Sequence, residues 1–306
     1  MSRPLLGVLL FCLAIIGCDR RSASPGPANQ PPVSVYTTFY PTTYFAERIG
    51  GDLVNVVCPV PSDADPIFWL PSIEAITEYQ SADIIVINGA SFEKWVDKVS
   101  LPASRVVDTA MPFKDQFVYF DESVTHSHGP QGDHTHKGID GHTWLDPQLA
   151  KLQATAIKDA LVSKLPNHKK TIEANFNGLI DDLDALHQQF QTLTKSYGGQ
   201  TLFASHPAYN YIAKRYGWKI KNFDVSPEEP LSEEAIAQIQ AAVDADQVKV
   251  MLWESGPIDE TVKLMKEQFG LETVVFQPAE MVDGDEDYLA IMKANLLSVE
   301  PFITAK

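Results

Sequence analysis

Two histidines in different halves of the chain stand where metal-ligand chemistry is expected. His142 lies in the segment 141–147, just before a predicted helix, and His206 follows the predicted strand 201–204. Open parallel sheets bind ligands at the carboxyl ends of their strands, so these imidazoles could meet across a cleft. Neutral imidazole is a common ligand for zinc and related metals. The pair is therefore a candidate metal site, and a pair of ordinary hydrogen-bonded histidines is the equally weighted alternative.

Oxygen donors follow other predicted strands and could complete such a site. They are Asp65, Glu254 and Gln277, the last through its amide oxygen. Two imidazoles alone are fewer than the three or four protein ligands that zinc sites commonly use. For Glu254, a buried carboxylate that bridges backbone groups is an equally weighted interpretation.

A histidine-rich segment, residues 126–136, offers a second kind of metal binding. It holds four of the eight histidines of the chain among glycines and polar residues: His126, His128, His134 and His136. We see no helical or strand period in it and expect a flexible loop that binds metal with low affinity through shifting ligand sets. A solvated loop that happens to be rich in histidine is the alternative.

The elements that would position these residues indicate an α/β fold. Short β-branched runs alternate with helical patterns and give eight predicted strands: 33–36, 53–57, 83–88 and 105–107 in the first half, and 201–204, 220–225, 248–252 and 273–276 in the second. Between the halves, apolar residues at helical spacing predict one helix over 149–165 and a long one over 166–198, roughly 45 Å in length. We expect two lobes, 33–165 and 199–306, each with a mainly parallel four-stranded sheet flanked by helices, joined by the long helix.

The first 32 residues predict export and anchoring. Arg3 precedes a short apolar run, and residues 15–17 lead into Cys18 as in a lipobox, so we expect a lipoprotein signal peptide over 1–17 and lipidation of Cys18. An ordinary secretory signal with an incidental cysteine is the alternative. Residues 18–32 are rich in proline and small polar residues and are expected to form a disordered tether. The predicted location is extracytoplasmic, on a bacterial membrane, facing the periplasm where there are two membranes.

Composition excludes several classes of function. The 306 residues carry 24 Lys and Arg against 40 Asp and Glu, a formal net charge of −16, so a nucleic-acid binder is not expected. Three cysteines cannot form a disulfide framework. Catalytic motifs such as His-Glu-x-x-His and Gly-x-Ser-x-Gly are absent from the sequence, so we expect no enzyme.

Several motifs in sequence order resemble one family. These are residues 34–41, 63–66, 82–90, 142–147, 208–217 and 226–230, arranged around the histidine-rich segment and behind the lipobox. In this arrangement the chain resembles the solute-binding proteins of zinc and manganese ABC importers, whose two lobes are linked by a single long helix. The resemblance covers everything after the tether and implies a metal site between the lobes that includes His142 and His206.

Two positions depart from the pattern of that family. Ile67 stands where the family usually has a histidine, and Gln277 stands where the usual final carboxylate is expected. The resemblance implies capture of a divalent metal and its delivery to an ABC permease and its ATPase by a lipid-anchored, monomeric protein. We expect zinc, with manganese or another divalent transition metal as the alternative, because replacing a carboxylate disfavours hard ions. A metal-buffering chaperone or adhesin of the same fold, without a transporter, is the other function considered.

Overall fold

The computed structural model describes most of the chain after the predicted tether. It covers residues 31–62, 64–120, 124–127, 133–136, 138–246, 248–281 and 286–304, with 124–127 and 133–136 described by their backbone alone. The predicted signal peptide and Cys18 lie outside the described residues.

The first half builds a four-stranded parallel sheet with helices between its strands. In chain order it contains β1 (Val33–Thr37), α1 (Tyr40–Gly50), β2 (Val54–Val57), α2 (Ile73–Ser81), β3 (Ile84–Ile87) and β4 (Val106–Asp108). The spatial order is β2-β1-β3-β4, and every pairing is parallel. All four residues of β3 are buried, as expected for a strand covered on both faces.

The histidine-rich segment differs from the flexible loop predicted for it. Its backbone forms an antiparallel hairpin of β5 (Val124–Ser127) and β6 (Asp133–His136), in which His126 pairs with His134. The expectation of no strand structure was wrong: each short run contains β-branched residues, Val124 and Thr125 in β5 and Thr135 in β6, which favour extended backbone. His128 lies outside the described residues.

Two helices follow the hairpin and run between the halves. Asp146 caps α3 (Pro147–Lys164) by accepting a hydrogen bond from the backbone of Gln148, and Pro147 occupies the first turn. A short 3-10 turn, Pro166–His168, separates α3 from α4 (Lys169–Lys195). The 27 residues of α4 make it roughly 40 Å long, slightly shorter than predicted, because the chain first makes that turn.

The second half repeats the architecture of the first. In chain order it contains β7 (Thr201–Ala204), α5 (Asn210–Tyr216), β8 (Lys219–Asn222), α6 (Glu233–Ala245), β9 (Val250–Trp253), α7 (Asp259–Leu264) with a π-helical continuation, β10 (Glu272–Val275) and α8 (Tyr288–Ile303). The strand order is β10-β9-β7-β8, again fully parallel. In each sheet the first and third strands are therefore neighbours, and the strand order reverses between them.

The long helix α4 packs on both halves. It contacts α1 and α3 on one side of the chain and α5 and α8 on the other, and it buries Leu179, Leu183, Leu186 and Phe190 along one face. The predicted fold class, two parallel four-stranded sheets with flanking helices and one long helix, is confirmed. The lobe boundaries at 165 and 199 stay predictions. Over the described ranges, no helix combines the length and apolarity that a membrane crossing requires.

Candidate metal site

His142 is buried between two carboxylates. Its side chain is 2% exposed, its Nδ1 lies 2.7 Å from Asp140 Oδ1, and its Nε2 lies 3.0 Å from Glu280 Oε1. Among the described residues, Nε2 has no partner aligned for a hydrogen bond. Burial lowers the pKa of this imidazole, but the carboxylates of Asp140 and Glu280 outweigh burial and raise the pKa to about 10.

The loop around His142 packs closely against Phe92. A Cβ atom on Gly141 would come within 3.0 Å of the Phe92 ring, so glycine lets the loop pack closely there. On the other side, Asn88 Nδ2 donates a hydrogen bond to the carbonyl of Gly141, and Thr143 donates to Asn88 Oδ1. The sequence segment that contains His142 is therefore held by packing and hydrogen bonds on both sides.

His206 reaches the same place from the second half. It follows β7, is 5% exposed, and its ring centroid lies 5.4 Å from that of His142. Its Nδ1 lies 3.9 Å from Glu254 Oε2, and Glu254 follows β9, the neighbour of β7. Both residues thus lie where the strand order reverses, which is the position at which open α/β sheets bind ligands.

Acidic side chains crowd this pair of histidines. Burial, then the charge of Glu280, raises the pKa of Asp65 to about 7. Burial, then the charges of Glu280 and Asp65, raises the pKa of Glu254 to about 8. Neighbouring carboxylates raise one another's pKa because their negative charges repel each other when both are ionised. A divalent cation bound between them would relieve that repulsion.

Glu280 is a candidate ligand that the sequence did not predict. The segment that carries it is held at several points: Trp144 Nε1 donates to the carbonyl of Pro278, and the backbone N–H of Tyr40 donates to the carbonyl of Glu280. Ala279 takes a left-handed conformation with φ of 59°, which is unusual for a residue other than glycine. No local sequence pattern marks Glu280, because contacts with the first half of the chain place it.

Neither Gln277 nor Ile67 supplies a ligand to this site. The side chain of Gln277 is exposed, and both of its backbone polar groups are bonded to the side chain of Asn295. Ile67 is 6% exposed within the apolar core, and its backbone N–H donates to Asp65 Oδ1 at 2.8 Å. The structure therefore brings together His142, His206, Asp65 and Glu254 but leaves Gln277 outside, and it adds Glu280.

The donor geometry is close to that of a metal site without yet forming one. In the part of the chain that the structure describes, no three His, Cys, Asp or Glu side chains already have a metal-binding arrangement. A tetrahedral zinc ion with ligands at about 2.0–2.1 Å separates its donor atoms by roughly 3.3 Å. The 3.0 Å between His142 Nε2 and Glu280 Oε1 is near that spacing. Small side-chain movements would suffice there, so the residues fit a divalent metal as substrate.

Comparison with known proteins identifies relatives over nearly the whole chain. The sequence profile described as "ZnuA: Zinc-uptake complex component A periplasmic" matches residues 35–300. The zinc-binding lipoprotein AdcA of Streptococcus pneumoniae is 26% identical over 306 residues, covering 97% of this chain and 60% of its own length. The high-affinity zinc uptake system protein ZnuA of Bacillus subtilis is 27% identical over 320 residues, covering 98% of both chains. The chain thus spans about 60% of the AdcA lipoproteins it matches and nearly all of the Bacillus protein.

Solved structures share the fold. The metal-dependent lipoprotein YcdH from Bacillus subtilis superposes with a TM-score of 0.77 at 25% identity, over 89% of this chain and 100% of that one. The Zn(II)-bound ZnuA-like domain of Streptococcus pneumoniae AdcA gives a TM-score of 0.76 at 23% identity, over 89% and 99% of the two chains.

Proposed function

Because this chain belongs to the ZnuA family of periplasmic zinc-uptake components, we propose that it captures Zn²⁺ between its two sheets and delivers it to a membrane transporter. The observation that carries the proposal is the meeting of His142 and Glu280, whose Nε2 and Oε1 atoms lie 3.0 Å apart, with His206 beside them. Its family relatives are named for zinc binding and zinc uptake.

We propose His142, His206 and Glu280 as the central ligands. Two imidazoles and a carboxylate supply three of the four donors that tetrahedral zinc takes. Asp65 and Glu254 supply the remaining oxygen, since both are half-buried within electrostatic range of Glu280. The presence of Glu280 removes the reason that Gln277 gave for preferring zinc over manganese. A set of imidazoles and carboxylates also suits manganese, so the ligands alone do not select zinc. The preference for zinc therefore rests on the relatives, which are named for zinc.

The delivery step is proposed from the family and the N-terminal sequence. We infer a lipid anchor on Cys18, an extracytoplasmic location, a monomeric protein, and an ABC permease with its ATPase as the receiving partner. A tether of about a dozen residues would hold the binder close to the transporter and raise its effective concentration there. No catalytic step is part of the proposal.

Zinc titration tests the proposed site. Elemental analysis and competition with a chromophoric chelator should give one tightly bound zinc ion for the parent, and no tight site for the double variant His142→Ala, His206→Ala. His168→Ala is the matched control, because His168 is exposed in the turn before α4. Tight binding retained by the double variant would refute the site. Growth under zinc limitation tests uptake in cells that lack this protein. Growth restored by the parent but not by the double variant would favour a role in zinc uptake over a role in zinc buffering.

A further inference from the structure

Asp140 fixes the orientation of the His142 ring from its Nδ1 side. It is fully buried, and its Oδ1 accepts hydrogen bonds from the His142 backbone N–H at 2.9 Å and from Nδ1 at 2.7 Å. When the Nδ1–H of an imidazole donates a hydrogen bond to a carboxylate, Nε2 is the ring nitrogen available to bind a metal. Asp140 therefore sets both which ring nitrogen is available and where it points.

Asp140 is itself held by two residues of the second half. Asn210, the first residue of α5, donates from Nδ2 to Asp140 Oδ2 at 3.0 Å. The hydroxyl of Tyr211 donates to the backbone carbonyl of Asp140 at 2.9 Å. The carboxylate behind His142 is thus held in part by α5, the helix that follows β7.

Asn210 connects the surroundings of both histidines. Its Nδ2 also donates to the carbonyl of Pro207, the residue after His206, at 3.1 Å. Its Oδ1 accepts a hydrogen bond from Asn222 Nδ2 at 2.9 Å, which turns the amide nitrogen toward Asp140. One side-chain amide therefore bonds to the carboxylate that orients His142 and to the backbone adjoining His206.

We propose that Asn210 is a positioning residue for the metal site: by holding Asp140 it directs His142 Nε2 toward Glu280 and His206. This inference rests on the proposed function for its metal, although Asn210 is not one of the proposed ligands. Loss of the amide would leave Asp140 Oδ2 without this donor and let the His142 ring turn. Partners that orient a ligating histidine typically change metal affinity by about 10- to 100-fold when they are removed.

Two substitutions of Asn210 test the proposal in the full chain. Asn210→Ala removes the amide, and Asn210→Leu removes its hydrogen bonds at similar size. Both should raise the zinc dissociation constant by about tenfold or more. Asn175→Ala is the matched control: Asn175 is a half-buried asparagine on α4 whose Nδ2 donates to the carbonyl of Ile49 in α1, not to Asp140 or to the residues beside His142 and His206. The control should bind zinc as the parent does.

An NMR readout separates positioning from general destabilisation. In protein with ¹⁵N-labelled histidine, the proton on His142 Nδ1 should give a resonance that exchanges slowly with water, assigned by its loss in His142→Ala. In both Asn210 variants this resonance should shift and exchange faster, although His142 is unchanged. Asn175→Ala should leave the chemical shift and the exchange rate of this resonance unchanged, even if that substitution lowers the melting temperature.

The outcomes are distinct. A resonance and a zinc affinity that both stay as in the parent would overturn the positioning role. A weaker affinity with an unchanged resonance would also overturn it, because the loss would then be structural. The resonance is measured on metal-free protein, so it tests Asn210 even if the parent binds no zinc, a result that would refute the proposed function instead.

Discussion

Glu280 Oε1 lies 3.0 Å from His142 Nε2, and these two atoms come from opposite halves of the chain. Glu280 follows β10 of the second sheet, whereas His142 precedes α3 after the first sheet. Neither atom is placed by its own loop alone: Trp144, two residues after His142, donates its indole N–H to Pro278, two residues before Glu280. These two donor atoms therefore come together only when both halves of the chain are folded and packed against each other.

The first prediction compares Glu280 with Gln277. Glu280→Ala should weaken zinc binding by at least about 100-fold, because it removes a charged donor from a site with few ligands. Gln277→Ala should leave the affinity within about twofold of the parent, since its side chain is exposed. Chelator competition measures both. A Glu280→Ala variant that binds zinc within about twofold of the parent would show that the carboxylate next to His142 is not a ligand.

The strands and the two histidines could be predicted from the sequence, but Glu280 could not. Buried parallel strands such as β3 are continuous β-branched runs, which local sequence shows directly. His206 lies two residues after the end of β7, so it is found by searching the carboxyl ends of parallel strands for ligands. Glu280 lies five residues beyond the end of β10, and contacts with Trp144 and Tyr40 of the first half fix its position. Such long-range contacts leave no periodic signal in the local sequence.

A second prediction concerns pH and the metal-free protein. Asp65 and Glu254 have pKa values of about 7 and 8, above their ordinary values, so ionising them costs more in the folded state than in the unfolded state. Their contribution to the free energy of unfolding is fully present below about pH 4, falls as pH rises, and is lost once pH has passed through about 7 to 8. The raised pKa of His142, about 10, acts in the same direction, because its contribution is fully present below about pH 6.5 and is lost as pH rises toward 10.

Melting temperatures of metal-free protein between pH 5 and 10 check this prediction. The melting temperature should fall across that range, and Glu254→Gln should flatten the fall between about pH 5 and 8. Zinc must displace these protons, so zinc affinity should rise over about pH 7 to 10, a window above that of an ordinary histidine. A melting temperature that rises steadily with pH would contradict the pKa shifts.

A third prediction separates the histidine-rich hairpin from the site between the sheets. Replacing His126, His128, His134 and His136 with glutamine should remove weak, multiple metal binding and leave the tight zinc site intact. A two-stranded ribbon is only marginally stable alone and must pay ordering entropy when it coordinates a metal. Calorimetry should therefore show the high-affinity phase unchanged. If all binding disappears with these four side chains, the site at His142 does not bind metal.

The final prediction restores a histidine at the position where the family resemblance expects one. Ile67 is buried at 6% exposure, and its backbone N–H donates to Asp65 Oδ1, so its side chain begins two residues from a proposed oxygen ligand. Ile67→His should strengthen zinc binding by adding a third imidazole to His142 and His206. The same change should lower the stability of the metal-free protein by about 1–3 kcal/mol, because it places a polar ring in the apolar core.

The two effects of Ile67→His should appear in separate measurements. Denaturant unfolding in a chelator should show the loss of stability, and zinc should then restore more stability to the variant than to the parent, since a ligand that binds only the folded state stabilises it in proportion to its affinity. Ile67→Asn is the matched control: it is polar at this position but adds no imidazole, so it should lose stability without the gain from zinc. A variant that is destabilised but gains nothing from zinc would place the side chain of residue 67 outside ligating distance of the metal.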